Sequence, residues 1–212
     1  MQRVILGLAL IAMSSVAQLP RDAVKLPAPQ PTGGVSLNDA LAARRSVREF
    51  ASGPLTWGQI GQLLWAAQGV THDDGKRTAP SAGATYPLEL YVATAAGLYH
   101  YLPARHEVVR VAVQDVRPDI RRAAGAQAAV DAPALFVFAA APARTAGRYG
   151  DRAMRYVYIE TGHAAQNLLL EAAALGLAAV PVGSFTDRDM HRALGLPADQ
   201  VVVYVVPVGR GR

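Results

Sequence analysis

The chain has 212 residues, no cysteine and a formal net charge of +5, with 51% hydrophobic and 17% charged residues. That length and apolar content fill one core and leave too little chain for two well-packed domains. The lack of cysteine excludes disulfide frameworks, thiolate metal sites, cysteine nucleophiles and iron–sulfur ligation, so redox chemistry here needs a borrowed cofactor, and the scattered arginines, without interleaved aromatics, argue against a nucleic-acid surface.

Met1-Gln2-Arg3, the apolar run from Val4 to Met13 and the small residues Ser15-Val16-Ala17 have the layout of a signal peptide cleaved before Gln18. That run is too short to span a bilayer, so no membrane anchor is expected after cleavage. The mature chain, with a charge of +4, is expected in the periplasm or outside the cell; a misassigned start codon would leave it in the cytoplasm. Residues 18–35 hold Pro20, Pro27, Pro29 and Pro31 and then Gly33-Gly34, a composition that predicts an extended linker, with the folded domain over 36–212.

Ser36 and Asp39 predict the cap of a short helix through Ala43, and Thr56 with Gln59 a capping box opening a helix over Trp57–Gln68 that Gly69 ends. Residues 88–94, 97–102 and 107–113 read as antiparallel strands separated by short turns. Residues 114–130 are rich in alanine and arginine and predict a surface helix, followed by a buried strand over 134–140. From Met154 to Leu175, the apolar positions Val157, Ala164, Ala165, Leu168, Leu169, Ala172 and Leu175 crowd more than one face of a long helix, which suits a central or interface position; Gly176 caps it. A strand over 178–182, a capped helix over 186–194 and a strand over 201–208 complete the chain, and the irregular alternation of helices and strands indicates an α+β fold.

Familiar motifs fail in turn. Gly69 to Gly75 with Lys76 misses the phosphate-loop spacing by one residue, and Arg77 stands where Ser or Thr belongs. Glu160 and His163 form a Glu-x-x-His pair, but no second pair completes a di-iron site, and no metal site is expected. Ser184 lacks a nucleophile elbow, and no dinucleotide fingerprint follows a strand.

Four segments make joint sense around an anionic ligand. Arg44-Arg45-Ser46-Val47-Arg48 offers three guanidiniums and a hydroxyl, donors suited to phosphate; the same charges would also complement the end of the preceding helix. Pro80-Ser81-Ala82-Gly83-Ala84-Thr85-Tyr86-Pro87 is small and turn-prone, allowing close backbone approach to a ligand or serving as a plain surface loop. Pro181-Val182-Gly183-Ser184 leaves a strand through glycine and serine, and Arg210 follows the last strand.

Taken with Gly97-Leu98-Tyr99-His100-Tyr101, Arg148-Tyr149-Gly150-Asp151-Arg152 and Glu160-x-Gly162-His163-x-x-Gln166-Asn167, these segments resemble the nitroreductase family of flavin mononucleotide (FMN) enzymes, and within it the SagB-like azoline-dehydrogenase branch. The resemblance runs from about Leu37 to Arg210. It implies an α+β sandwich with a mixed, mainly antiparallel sheet flanked by helices, and a homodimer whose interface holds the long helix and the FMN. Arg44, Arg45 and Ser46 would contact phosphate and ribityl, Arg210 the phosphate, and Arg48 the pyrimidine edge, where a fixed cation stabilises the reduced ring. Pro80, Ser81, Ala82 and Gly83 would pack on the ring from the partner chain, and Pro181, Val182, Gly183 and Ser184 would bring a backbone amide to the flavin N5.

One departure stands out. The branch carries a Lys-Tyr pair before the long helix, thought to assist deprotonation of the substrate, where this chain has Arg148-Tyr149. Arginine keeps its proton and is no general base, which leaves Tyr149 as an acid or both residues at the interface. The expected activity is FMN-dependent hydride transfer, ping-pong, to or from a small organic substrate, with NAD(P)H as a donor in the family. A peptide azoline dehydrogenase and a non-catalytic flavin carrier are the alternatives.

Overall fold

The computed structural model describes residues 23–212. The expected signal peptide, 1–17, lies outside the described residues. The strands in chain order are β1 (Ala23–Lys25), β2 (Leu88–Thr94), β3 (Gly97–Leu102), β4 (Glu107–Ala112), β5 (Ala134–Ala140), β6 (Ala178–Ala179) and β7 (Val201–Gly209). They form one sheet in the order β1-β4-β3-β2-β5-β7-β6, and every ladder is antiparallel. A parallel contribution comes from the bridge between Ser46 and Ala179.

β5 explains the layering. All seven of its residues are buried, which a strand achieves only when both faces of the sheet are covered. Phe136 and Phe138 join Ile60, Leu63, Leu64 and Leu168 on one side, under α2 (Trp57–Gln68) and α5 (Ala153–Ala174). Leu135 and Val137 join Leu98, Ile120 and Met190 on the other, under α3 (Arg117–Ala123) and α6 (Asp187–Leu194). The helix over Leu37–Ala43, α1, packs against α5, and α4 (Ala143–Tyr149) leads into it through a single 3-10 turn.

Local signals hold where the chemistry is local. Ser36 accepts from the Asp39 amide at 3.1 Å, Thr56 and Gln59 form the full capping box, and Gly176, at φ +67°, follows the end of α5. Along α5 the buried residues Val157, Ala164, Ala165, Leu168, Leu169 and Ala172 form one stripe, while Tyr158, Ile159 and Leu175 face outward.

Several expectations are corrected. Segment 18–35 is not all linker: β1 pairs with β4, Leu26 is buried, Pro27 O lies 2.9 Å from His106 Nε2, and Gln30 exchanges hydrogen bonds with Gln62. The folded body therefore begins upstream of Ser36. The helix expected over 114–130 shrinks to α3 because Gly125 and Ala126 turn to positive φ, and it is no surface helix, since Ile120, Ala123 and Ala124 are buried. The strand expected over 178–182 ends at Ala179, with Val182 joined to β7 by a bridge to Val205. Thr186 makes no side-chain cap, and α4 was not foreseen.

Candidate functional site

Residues 44–51 run as an extended strip between β6 and the chain end. The Val47 amide donates to Ala179 O at 3.0 Å, the Ala51 amide to Arg210 O at 2.8 Å, and Phe50 bridges Gly211. These backbone bonds bring Arg210 beside the strip that carries Arg44, Arg45, Ser46 and Arg48. Among the described residues, no carboxylate pairs with any of these four arginines. Arg44 lines a small cavity of about 230 Å³ with Val47, Leu169, Ala173 and Ala179. Arg45 spends one nitrogen on the helix end: its Nη1 donates to Ala42 O and Arg44 O, both at 2.8 Å. The helix-terminus role left open by the sequence is thus filled by Arg45, while Arg44, Arg48 and Arg210 stand as unneutralised cations.

Loop 80–87 is built in the opposite way. Gly83, Ala84 and Tyr86 all have positive φ (60°, 52° and 43°), a conformation that Ala and Tyr hold only under outside constraint. The constraints are visible. Ser81 Oγ accepts the Tyr86 amide at 2.9 Å, Thr85 Oγ1 meets Thr145 Oγ1 at 2.9 Å, and Arg144 Nη1 donates to Tyr86 O at 3.1 Å. Arg144 also pairs with Glu89, whose other oxygen lies 2.6 Å from His100 Nε2. Burial works against the Glu89 carboxylate, yet His100 and Arg144 together hold it below the usual carboxylate range.

Arg148 and Tyr149 close over the same loop. A Cβ added at Gly83 would lie 2.9 Å from Arg148 Cδ and 3.0 Å from the Tyr149 hydroxyl, so only glycine lets these side chains approach. Beneath the loop, the Arg77 guanidinium sits 4.4 Å over the Tyr86 ring and donates to Gln68 Oε1 at 2.8 Å. Glu160 is buried there, and burial pushes its carboxyl up to about 7 against the pull of the Ser81 hydroxyl and Arg77.

Pro181, Val182, Gly183 and Ser184 follow β6. Val182 exchanges backbone bonds with Val205 at 2.8 and 3.0 Å, which turns Gly183 and Ser184 outward; Ser184 O accepts from Gln127 Nε2 at 2.9 Å. Both residues are exposed, and their amides donate to no group among the described residues.

Within one chain these groups fall into two sets. The arginine strip touches α5 at Leu169 and Ala173, whereas loop 80–87 lies against Arg148 and Tyr149, ahead of the start of α5. A cavity of about 770 Å³ contains none of the expected residues; it lies between Phe50–Trp57, the turn 94–96 and α3, and of its three arginines, Arg117 and Arg121 are neutralised by Asp115 and Asp131. Two of its three cations are spent, so we place the candidate site on the arginine strip, whose cations have no carboxylate partner among the described residues.

Residues 41–210 match the model of the nitroreductase family. The chain belongs to the nitroreductase family. A candidate nitroreductase of Methanocaldococcus jannaschii, MJ1384, is 43% identical over 183 residues, covering 83% of this chain and 91% of that protein. The crystal structure of a candidate nitroreductase from Ralstonia eutropha superposes with a TM-score of 0.83 at 32% identity, covering 92% of this chain and 95% of that one. The fold extends to the NADPH:FMN oxidoreductase of Vibrio harveyi, solved with NAD+, at TM-score 0.62 and 22% identity over 82% of this chain and 68% of that one. The nitroreductase α+β fold, with its mainly antiparallel sheet and long helix, is therefore the fold of this protein.

For a nitroreductase-family chain, sequence reasoning named both the arginine strip and loop 80–87 as candidates. It missed the residues that hold the loop: Arg77, Glu89, Arg144 and Thr145 as loop supports, and Glu160 beyond its place in a motif. The signal for Glu160 was present in the sequence, since a carboxylate sits inside the apolar stripe of α5.

Proposed function

We propose that this nitroreductase-family chain is an FMN-dependent oxidoreductase that moves hydride to or from a small organic substrate, working as a homodimer of the SagB-like branch. The observation that carries it is that Arg44, Arg48 and Arg210, whose backbones lie together at one end of the sheet, have no carboxylate partner among the described residues. Several arginines around one anion, and no dinucleotide fingerprint, fit the single phosphate of FMN better than a pyrophosphate.

Bound FMN supplies a two-electron, hydride-accepting centre. Arg44 and Arg210 hold the phosphate, Arg45 and Ser46 back the strip that carries them, and Arg48 places positive charge where the reduced ring gathers negative charge. The exposed amides of Gly183 and Ser184 offer donors to an acceptor on the ring edge. Pro80, Ser81, Ala82 and Gly83 complete the site from the partner chain. This assignment accounts for their distance from the arginine strip within one protomer and for the exposed apolar Val35, Leu37, Leu41, Tyr158 and Ile159 on and around α1 and α5. Sedimentation at monomer mass with flavin bound would contradict the dimer.

A peptide azoline dehydrogenase is the second reading, favoured by the packing of Arg148 and Tyr149 on Gly83. Arg148 keeps its proton, so Tyr149 is the group left to move one there. The test is simple. The purified protein is expected to carry a yellow chromophore that denaturation releases as FMN and that NADH or NADPH bleaches anaerobically. Flavin bleached by neither nicotinamide leaves the azoline reading and a non-catalytic flavin carrier, turnover of an azoline peptide selects the former, and a colourless protein overturns all three.

A further inference from the structure

Four residues of α4, Arg144, Thr145, Arg148 and Tyr149, follow the four-residue spacing that puts side chains on one face of a helix. That face lies on loop 80–87. Its first turn is spent there: Arg144 donates to Tyr86 O at 3.1 Å and pairs with Glu89, and the Thr145 hydroxyl meets that of Thr85 at 2.9 Å. Its second turn is not. A Cβ at Gly83 would come within 3.0 Å of both Arg148 Nη1 and the Tyr149 hydroxyl, so two donors converge over one exposed glycine. Among the described residues neither makes a hydrogen bond or an ion pair, and Asp151, the nearest carboxylate in sequence, is not paired with Arg148.

A freely solvated surface arginine has a mobile stem, and ordering it on binding costs entropy. The Arg148 stem is already placed: its Cδ would lie 2.9 Å from a Cβ at Gly83, and its guanidinium stands 5.7 Å from the centre of the Tyr149 ring, which itself packs 4.5 Å from the Tyr156 ring of α5. A held stem with a free head receives an anion at reduced entropy cost. Guanidinium and phenol O–H both donate to carboxylate oxygens. Charge balance decides which anion fits. Arg144 is neutralised by Glu89, and Arg77 is bonded to Gln68 beneath the Tyr86 ring, which leaves the single charge of Arg148 to meet a single negative charge, a carboxylate rather than a phosphate.

We propose that Arg148 and Tyr149 bind substrate, and that the small organic substrate is a carboxylic acid whose carboxylate they hold over Gly83. The placing of Gly83 beside a flavin rests on the function proposed above; the anion site itself rests on α4 and the loop.

Benzoate and benzamide share a ring and differ in charge, and their titration into the full chain, followed by calorimetry and by the visible band of any bound flavin, tests the site. Benzoate is expected to bind about 10-fold more tightly than benzamide, with the gap narrowing as salt is raised. Arg148→Gln brings the two to equal affinity, Arg148→Lys keeps part of the preference, and Tyr149→Phe weakens benzoate about 3-fold without changing benzamide. Absence of benzoate binding, equal affinity for the two probes, or a preference that survives in Arg148→Gln overturns the proposal. A flavin-free wild type defeats the functional assignment alone, because the ratio of affinities and its dependence on Arg148 still decide the anion site. A flavin-loaded wild type without the preference defeats this inference and leaves that assignment standing.

Discussion

The arginine strip and loop 80–87 lie toward different ends of one helix and are organised by opposite rules. In the strip, backbone bonds to Ala179 and Arg210 fix the chain while the guanidiniums of Arg44, Arg48 and Arg210 have no carboxylate partner among the described residues. In the loop, nearly every polar group is engaged: Arg144 with Glu89 and Tyr86, Arg77 with Gln68 and the Tyr86 ring, Ser81 with the Tyr86 amide, Thr85 with Thr145. Charge left unpaired is stabilised only when a ligand supplies the counter-charge, whereas charge paired internally sets shape before any ligand arrives. Under the proposed function, one end binds and the other is rigid.

That contrast breaks most sharply at Arg44 and Arg210. Replacing either by Ala is expected to weaken FMN retention about 10- to 100-fold, since a charge-assisted contact contributes roughly 1.5–3 kcal/mol. Flavin-free thermal stability should hardly move, because no internal ion pair is lost; a fall in the flavin-free melting temperature with unchanged FMN affinity would reverse the assignment of the two ends.

The loop end answers to pH. The Glu160 carboxyl is raised by burial to about 7 in the folded chain, above its ordinary value of 4.5, so the native state holds this proton after the unfolded chain has released it. Stability from Glu160 is therefore full below about pH 4.5 and is lost as pH climbs toward 7, by up to about 3 kcal/mol, then stays flat. Glu160→Gln should remove this slope. Chemical denaturation of both proteins from pH 5 to 8 checks it, and parallel curves would show that Glu160 is not the group responsible.

A smaller effect is expected for Arg144→Ala, which strips Glu89 of one partner but leaves it His100. We expect a loss of about 1–2 kcal/mol in urea unfolding, with FMN affinity less affected than in Arg44→Ala. How much of this was legible from sequence depends on the range of each interaction. The caps at Ser36 and Thr56, the strand over 134–140 and the arginine strip itself were readable because their signals span a few adjacent residues. The role of Glu89 was not readable, because Arg144 and His100 reach it from other elements.

Arg48 carries the smallest predicted change. Arg48→Ala should keep its flavin and lower the midpoint potential by about 10–20 mV, the scale of a solvent-exposed charge contributing under 1 kcal/mol to the reduced state. An unchanged potential at full occupancy would remove Arg48 from the redox role and leave it as part of the strip.

Sequence alone determined what local chemistry determines: the helix starts, the buried apolar run of β5, the lack of cysteine chemistry and the residues of a nitroreductase-family chain. Tertiary structure decided the rest, because it hangs on partners far apart in the chain. A three-residue strand has too short a pattern to announce itself, and β1 exists because β4 offers it an edge. The stripe of α5 could be counted from its period, but how deeply its one carboxylate would be buried depended on how α2 and the sheet packed against it. Likewise four arginines look alike in sequence; packing committed Arg45 to the end of α1 and left Arg44, Arg48 and Arg210 without a carboxylate among the described residues. Propensity and periodicity are properties of neighbouring residues, while burial and pairing belong to the folded whole.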